Sequence, residues 1–250
     1  MSTPGMNRHE KSTTGEDHIN RNAAEILERL KKLYPDAKII LKYTNPWELL
    51  VAVVLSAQCT DVAVNKVTEK LFKRYKTIEE YVYADPAEFE KLIHPTGFFR
   101  NKTKNILAAA RVLHEQHNDI VPGTMTQLLT IPGIARKSAN VILGNAYKVV
   151  EGIAVDTHVH RISQRLRLVR PDVIGGKKEI TFIRNGREVT DYKKDADPNK
   201  IESELMNIVP KADWFMLTYQ IIDHGRAICK AQNPRCHECP LSDLCPASRV

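Results

Sequence analysis

Residues 128–143 read LLTIPGIARKSANVIL, and this stretch constrains the fold of the chain more tightly than any other. Leu128, Leu129 and Ile131 close one short amphipathic run. Pro132-Gly133-Ile134-Ala135 turns the chain, and Ala139, Val141, Ile142 and Leu143 open a second apolar face at helical spacing. The pattern predicts a helix, a tight hairpin and a helix. The first-turn N–H groups of a helix have no partner four residues back, so the start of the second helix offers donors to a phosphate oxygen. Arg136 and Lys137 fall in that turn, where a cation opposes the helix dipole and does not stabilise the helix. Facing an anion, both make sense. An isolated P-G-x-x-R-K also fits a plain turn between core helices, so further residues must decide.

The charge distribution bears on that anion. The chain of 250 residues carries a formal net charge of +7, and residues 97–170 alone hold eleven Lys/Arg against four Asp/Glu. A basic belt around the hairpin fits a polyanionic partner, although scattered cations also make an ordinary solvated surface. A hydrophobic fraction of 42% suffices for a real core. No apolar run reaches the roughly 18 residues of a membrane span, and the N-terminus has no apolar signal core, so a soluble intracellular protein is expected.

Cys59 stands alone, whereas Cys229, Cys236, Cys239 and Cys245 form C-x6-C-x2-C-x5-C near the C-terminus. Four thiols so close together in an intracellular protein point to a metal site over disulfides. Zinc is the general expectation for four cysteines, usually as two close pairs, and only one pair here is close. The spacing also departs from the ferredoxin patterns. The residues by themselves specify a metal site with four cysteine ligands and no more.

Along the chain, residues 1–18 are polar and are expected to form a disordered tail. Residues 20–34 follow as an amphipathic helix with Ile26, Leu27, Leu30, Leu33 and Tyr34 on one face. Asn45-Pro46 is a cap and first-turn signal before WELLVAVVLSAQ, which is apolar nearly all round and reads as a central buried helix. Asp61 can cap the next helix, Thr77-Ile78-Glu79-Glu80 and Asp85-Pro86-Ala87-Glu88 read as capping boxes or close variants, and Asp156 can cap a helix opening at Thr157. Residues 178–192 read as two short strands around Asn185-Gly186, a strong hairpin signal.

IPGIARKSAN and AVDTH together resemble the hairpin and catalytic-aspartate motifs of the endonuclease III family, bifunctional DNA glycosylases and abasic-site lyases of the helix-hairpin-helix superfamily. The resemblance covers roughly residues 20–245. It implies that Lys137 is the nucleophile and Asp156 the catalytic carboxylate, with Gly133, Ala135 and Arg136 at the DNA. LSAQCTD is similar to the family's LSAQATD, which implies that Gln58 enters the space vacated by an extruded base. Cys59 there replaces a small residue and reads as a packed thiol. HPTGFFR is similar to the family's intercalating loop and implies that Phe98 wedges into the base stack. The cysteine spacing is similar to the family's [4Fe-4S] loop, at the same end of the chain, and the resemblance therefore selects a [4Fe-4S] cluster. Two departures stand out. Ala135 occupies a position where the family usually has a second glycine, and the hairpin of residues 178–192 is an insertion.

The implied fold is all-α and two-lobed, a helix-hairpin-helix DNA glycosylase fold with a C-terminal cluster loop and a small inserted β-hairpin. One lobe is a helical barrel over residues 39–149, and the other, from residues 19–38 and 150–250, carries the cluster. The implied activity is removal of oxidised pyrimidines from duplex DNA, followed by β-elimination at the abasic site through a lysine Schiff base. Damaged double-stranded DNA is the expected partner, the monomer the expected state, and the cytoplasm or nucleoid the expected location. A mismatch glycosylase of the same superfamily generally lacks the hairpin lysine. A non-catalytic DNA-binding or redox-sensing module would gain nothing from a carboxylate beside its anion. Lys137 and Asp156 therefore set the expected activity apart from both.

Overall fold

The computed structural model describes residues 16–250, with side-chain surroundings from residue 22 onward. The expected disordered tail lies outside the described residues except for its last three, which already belong to the first helix. Eleven α-helices occur among the described residues. They are α1 (Glu16–Leu33), α2 (Pro46–Leu55), α3 (Asp61–Arg74), α4 (Ile78–Val82), α5 (Pro86–Ile93), α6 (Phe99–His117), α7 (Met125–Leu128), α8 (Arg136–Ile142), α9 (Thr157–Arg165), α10 (Pro198–Ile208) and α11 (Trp214–Ala227). Strands β1 (Glu179–Arg184) and β2 (Arg187–Lys193) lie between α9 and α10 and pair antiparallel. Asn185 and Gly186 both have positive φ, 52° and 74°, as a two-residue turn matching the twist of the strands requires.

Local chemistry sets most helix starts. The Asn45 side chain accepts the Glu48 amide, with Pro46 in the first turn of α2. Thr77 and Glu80 form a reciprocal capping box at α4, and the Asp85 carboxylate accepts the Glu88 amide at α5. One cap differs from the sequence expectation. Thr60 caps α3 by accepting the Ala63 amide, while Asp61 is the first helical residue and pairs with Arg226 on α11. Adjacent Thr and Asp are both good caps, and the remote cation claims the Asp.

Two hydrophobic cores result. In the first, α2 buries Trp47 and every residue from Leu49 to Leu55 and packs on α3, α6 and α8. Each such aliphatic side chain contributes about 1.5–3 kcal/mol of burial. The second joins Ala23, Ile26, Leu27 and Leu30 of α1 to the inner faces of α9, α10 and α11. The extended segment before α9 is shared between them. Ala154 packs into the first core, while Ile153 and Val155 pack into the second, the alternation of an extended chain. Asp156 is the next residue and so stands at the seam. No helix among the described residues is long and apolar enough to cross a membrane.

Candidate active site

A cleft of about 950 Å³ opens along this seam, and its lining includes Gln58, Ala135, Lys137, Asp156, His158 and Tyr192. Asp156 is extended, with φ −89° and ψ −175°, and caps α9 through Oδ1, which accepts the His158 amide at 2.9 Å and the Val159 amide at 2.8 Å. Its Oδ2 lies 2.9 Å from His158 Nδ1. The carboxylate side chain is only 16% exposed. Burial pushes the Asp156 carboxyl up, but the His158 hydrogen bond and charge, the Val159 amide and the charge of Lys137 together hold it below the ordinary aspartate value. It is therefore an anion at neutral pH. The His158 ring is seated against Gly225 of α11, where a Cβ would come within 2.5 Å of its Cδ2. His158 belongs to the AVDTH motif, yet its grip on Asp156 was not anticipated. The available signal was its place in the first turn after a cap, where a side chain can fold back over the capping carboxylate.

The hairpin before α8 is held from two sides. Gly133 has φ +83°, and a Cβ there would stand 2.9 Å from Asn105 Cβ of α6, so close approach and backbone angle both favour glycine. Ala135 needs no such freedom. Its φ of −103° and ψ of 170° are extended, so a second glycine is not required by the backbone. No side chain caps α8, whose first backbone bond runs from the Ala139 amide to the Ala135 carbonyl. Arg136 does face an anion, but an internal one: its Nε donates to Glu202 Oε2 at 2.6 Å. Buried Glu202 also accepts Asn140 Nδ2 at 2.8 Å, and Gly152 leaves room for it, since a Cβ there would lie 1.9 Å from Glu202 Oε1. This cluster ties α8 to α10 across the seam and fixes the helix that carries Lys137.

The basic belt is thinner at the surface than the residue count suggests. Lys102, Arg161 and Arg165 are buried, and Arg170 pairs with Glu204. These cations satisfy internal carbonyls and carboxylates, which a linear charge count cannot distinguish from a solvated face.

Gln58 and Phe98 stand out by backbone conformation. Eight non-glycine residues among the described ones have positive φ, and four are Asn or Asp, which tolerate it. Gln58 (φ 53°) and Phe98 (φ 47°) are two of the remaining four. A left-handed non-glycine residue costs about 1–3 kcal/mol and persists where surroundings impose it. Both side chains point outward, and Phe98 is 65% exposed, whereas the adjacent Phe99 stacks on His94 at 4.6 Å. Lys102 links the two turns. It is only 5% exposed, and its ammonium donates 2.8 Å hydrogen bonds to the Leu55 carbonyl ahead of Gln58 and to the Thr96 carbonyl ahead of Phe98. Nothing in the sequence separated Lys102 from its solvated neighbours. Lys102→Met should lose both bonds and destabilise the protein by roughly 2 kcal/mol in urea unfolding. Unchanged stability would mean that the clamp carries no load.

Cys229, Cys236, Cys239 and Cys245 line one pocket beneath α9 and α11 together with Arg165, Leu166 and His224. All are free thiols. Among the described residues no three His, Cys, Asp or Glu are grouped so as to hold a single metal ion. The four cysteines surround a common space, and their thiolates could hold a metal cluster there. Burial, with the neighbouring cysteines adding to it, pushes the Cys239 thiol up and the Cys245 thiol up to about 12. Such thiols ionise together only when a cationic group compensates them, which iron provides. Arg165 Nη1 donates to Cys229 Sγ at 3.3 Å and to the Lys230 carbonyl at 2.7 Å. Cys59 lies elsewhere, packed at the edge of the first core. Purified protein should be yellow-brown with about four irons per chain. Stoichiometric zinc without iron would contradict this.

Residues 51–188 match the HhH-GPD superfamily of base excision DNA repair proteins, and residues 229–245 match the iron-sulfur binding domain of endonuclease III. Endonuclease III of Synechocystis sp. is 47% identical over 230 residues, covering 92% of this chain and 94% of its own. A non-covalent endonuclease III–DNA complex superposes with a TM-score of 0.80 at 38% identity, covering 92% of this chain and 96% of that one. A trapped endonuclease III–DNA covalent intermediate also gives a TM-score of 0.80 at 38% identity, with 92% and 97% coverage. With the whole helical scaffold, the hairpin and the four-cysteine loop all accounted for by these likenesses, the chain belongs to the endonuclease III family, the DNA glycosylase/abasic-site lyases that carry a [4Fe-4S] cluster.

Proposed function

We propose that this chain removes oxidised pyrimidines from duplex DNA and then cuts the abasic strand by β-elimination through a Schiff base on Lys137. The observation that carries the reading is the meeting of Lys137, Asp156 and Gln58 on one cleft at the seam of the two cores. Residues 39–149 form one lobe in this reading, and residues 19–38 with 150–250 form the other. The protein acts as a monomer inside the cell.

The lesion nucleotide leaves the helix and enters the cleft, at an unstacking cost of a few kcal/mol that is smaller for a damaged base. Gln58 then occupies the vacated position, where its amide can both donate to and accept from the partner base. Exposed Phe98 wedges between neighbouring bases. The C1′–N bond breaks with its electron pair leaving on the base, and positive charge develops on the sugar. The Asp156 anion stabilises that charge, while Lys137 Nζ, once its ammonium has given up a proton, forms the new bond to C1′. Ring opening gives the imine, loss of the C2′ proton supplies the electron pair for a new C2′–C3′ double bond, and the C3′–O bond breaks to release the phosphate strand. Backbone amides at Gly133, Ala135 and Arg136 hold the flanking phosphates. Cys229, Cys236, Cys239 and Cys245 would hold the cluster, which would tie the C-terminal loop together and so fix the surface that meets the DNA.

The test is incubation with duplexes containing an oxidised pyrimidine, a mispaired adenine, a mispaired thymine or a preformed abasic site. The oxidised base should be released and both that strand and the abasic strand cut. Release of only a mispaired base, or base release without strand cleavage, would contradict the proposal.

A further inference from the structure

The inserted β-hairpin is the segment that the proposed reaction does not use, and the structure shows where its stem stands. Tyr192 and Lys194 line the same cleft as Lys137 and Asp156. Their position is fixed by α9, the helix that Asp156 caps. Gln164 Oε1 accepts the Lys193 amide at 2.8 Å, Gln164 Nε2 donates to the Lys193 carbonyl at 3.2 Å, and His160 Nε2 lies 3.1 Å from the Ala196 carbonyl. Beneath these bonds a buried pair anchors β2. Arg165 Nε and Nη2 donate to the two Asp191 oxygens at 2.6 and 2.7 Å, and the same guanidinium holds the Lys230 and Ala231 carbonyls of the cysteine loop. Bidentate pairing of this kind orients as well as attracts. The stem is thus clamped to the catalytic lobe on two sides.

The stem presents three cations without a direct ion pair. Lys177, Lys178 and Lys194 are exposed, and none has an ion-pair partner among the described residues. The Lys194 amide donates to the Lys178 carbonyl at 2.8 Å, which brings both ends of the insertion together. Asp195 Oδ1 accepts the Lys177 and Lys178 backbone amides at 2.9 and 2.7 Å, and its charge acts on Lys178 without a direct ion pair. Lys193 is different, because its ammonium donates to the Pro171 carbonyl at 2.9 Å and stands 3.9 Å from Glu179. Lys194 lines the cleft and Lys177 and Lys178 stand beside it, and three ammonium groups without a direct ion pair are suited to a partner with regularly spaced negative charges and no fixed donor geometry, which describes a phosphodiester backbone.

Resting on the reading of the cleft as a DNA site, we infer that the hairpin stem is an added phosphate-binding rim, with Lys177, Lys178 and Lys194 gripping the backbone of the strand that enters the cleft. The hairpin lengthens the bound segment beyond what the helical scaffold alone can reach.

The probe is a duplex containing a tetrahydrofuran abasic analogue, with its Kd followed as a function of salt. In the variant with Lys177, Lys178 and Lys194 all replaced by Ala, Kd at low salt should rise roughly tenfold or more, and the log–log salt slope should fall by about 0.9 per lost phosphate contact. Arg187→Ala removes an exposed cation from the far tip of the same hairpin and should leave both values at the wild-type level. A triple variant that matches the wild type, or an Arg187 variant that weakens binding as much as Lys194→Ala does, overturns the inference. If the wild type traps on lesion DNA and the triple variant binds normally, the rim fails while the reading of the cleft stands. If the wild type neither binds the analogue nor is trapped, both fail.

Discussion

Asp156→Asn should lower base excision by roughly 10²-fold or more, the usual cost of removing a group aimed at developing charge. Asn keeps the size and can still cap α9, so thermal unfolding should change far less than the rate. The loss is one of charge beside the sugar. The same substitution removes the anionic partner of His158, whose ring is pinned between Asp156 and Gly225. On a preformed abasic site, where the base has already gone, the variant should retain more strand cleavage than on a damaged base. Single-turnover rates on the two duplexes measure this directly, and equal losses on both would remove Asp156 from the excision step. The pH dependence has a definite sign. Asp156 in the folded protein lies below its ordinary value, so its contribution to stability is present above about pH 4 and is lost only as pH falls through the folded value. Any acid limb of activity above that range belongs to another group.

Lys137→Gln should be the more severe change, because it removes the amine that forms the new bond. Excision of an oxidised pyrimidine and cleavage of an abasic strand should both fall, by roughly 10³-fold or more. Binding of lesion DNA should persist, since the hairpin amides and the Arg136–Glu202 tie that positions α8 do not depend on the lysine side chain. Gel shift with a tetrahydrofuran duplex reports the binding, and denaturing electrophoresis reports the cut. A variant that excises normally but no longer cuts would split the two steps between different residues.

The features that could be read from sequence are those with local causes. The nearly all-round apolar pattern of residues 47–55 placed a buried helix, Asn185-Gly186 placed a hairpin turn, and Asp156 announced a cap because the amides that donate to it lie two and three residues ahead. The hairpin Pro132–Ala135 likewise carries its turn residues in one run. Features with distant partners could not be read. Lys102 meets carbonyls from Leu55 and Thr96, Arg136 meets Glu202, and Arg165 meets Asp191 inside the insertion. Each is a cation whose charge reads as surface until the fold supplies its acceptor. Thr60 and Asp61 show a finer limit, as two competent caps stand side by side and only the pairing with Arg226 separates them. Ala135 shows the reverse, a departure from a family pattern that the backbone absorbs without strain.

The identity of the nucleophile is the centre of this account. Borohydride reduction during turnover of an oxidised-pyrimidine duplex, followed by proteolysis and mass spectrometry of the adduct, locates the amine. The sugar remnant should sit on the peptide containing Lys137, and Lys137→Gln should give no adduct. A remnant on any other amine, formed at the wild-type rate in the Lys137→Gln variant, would contradict it.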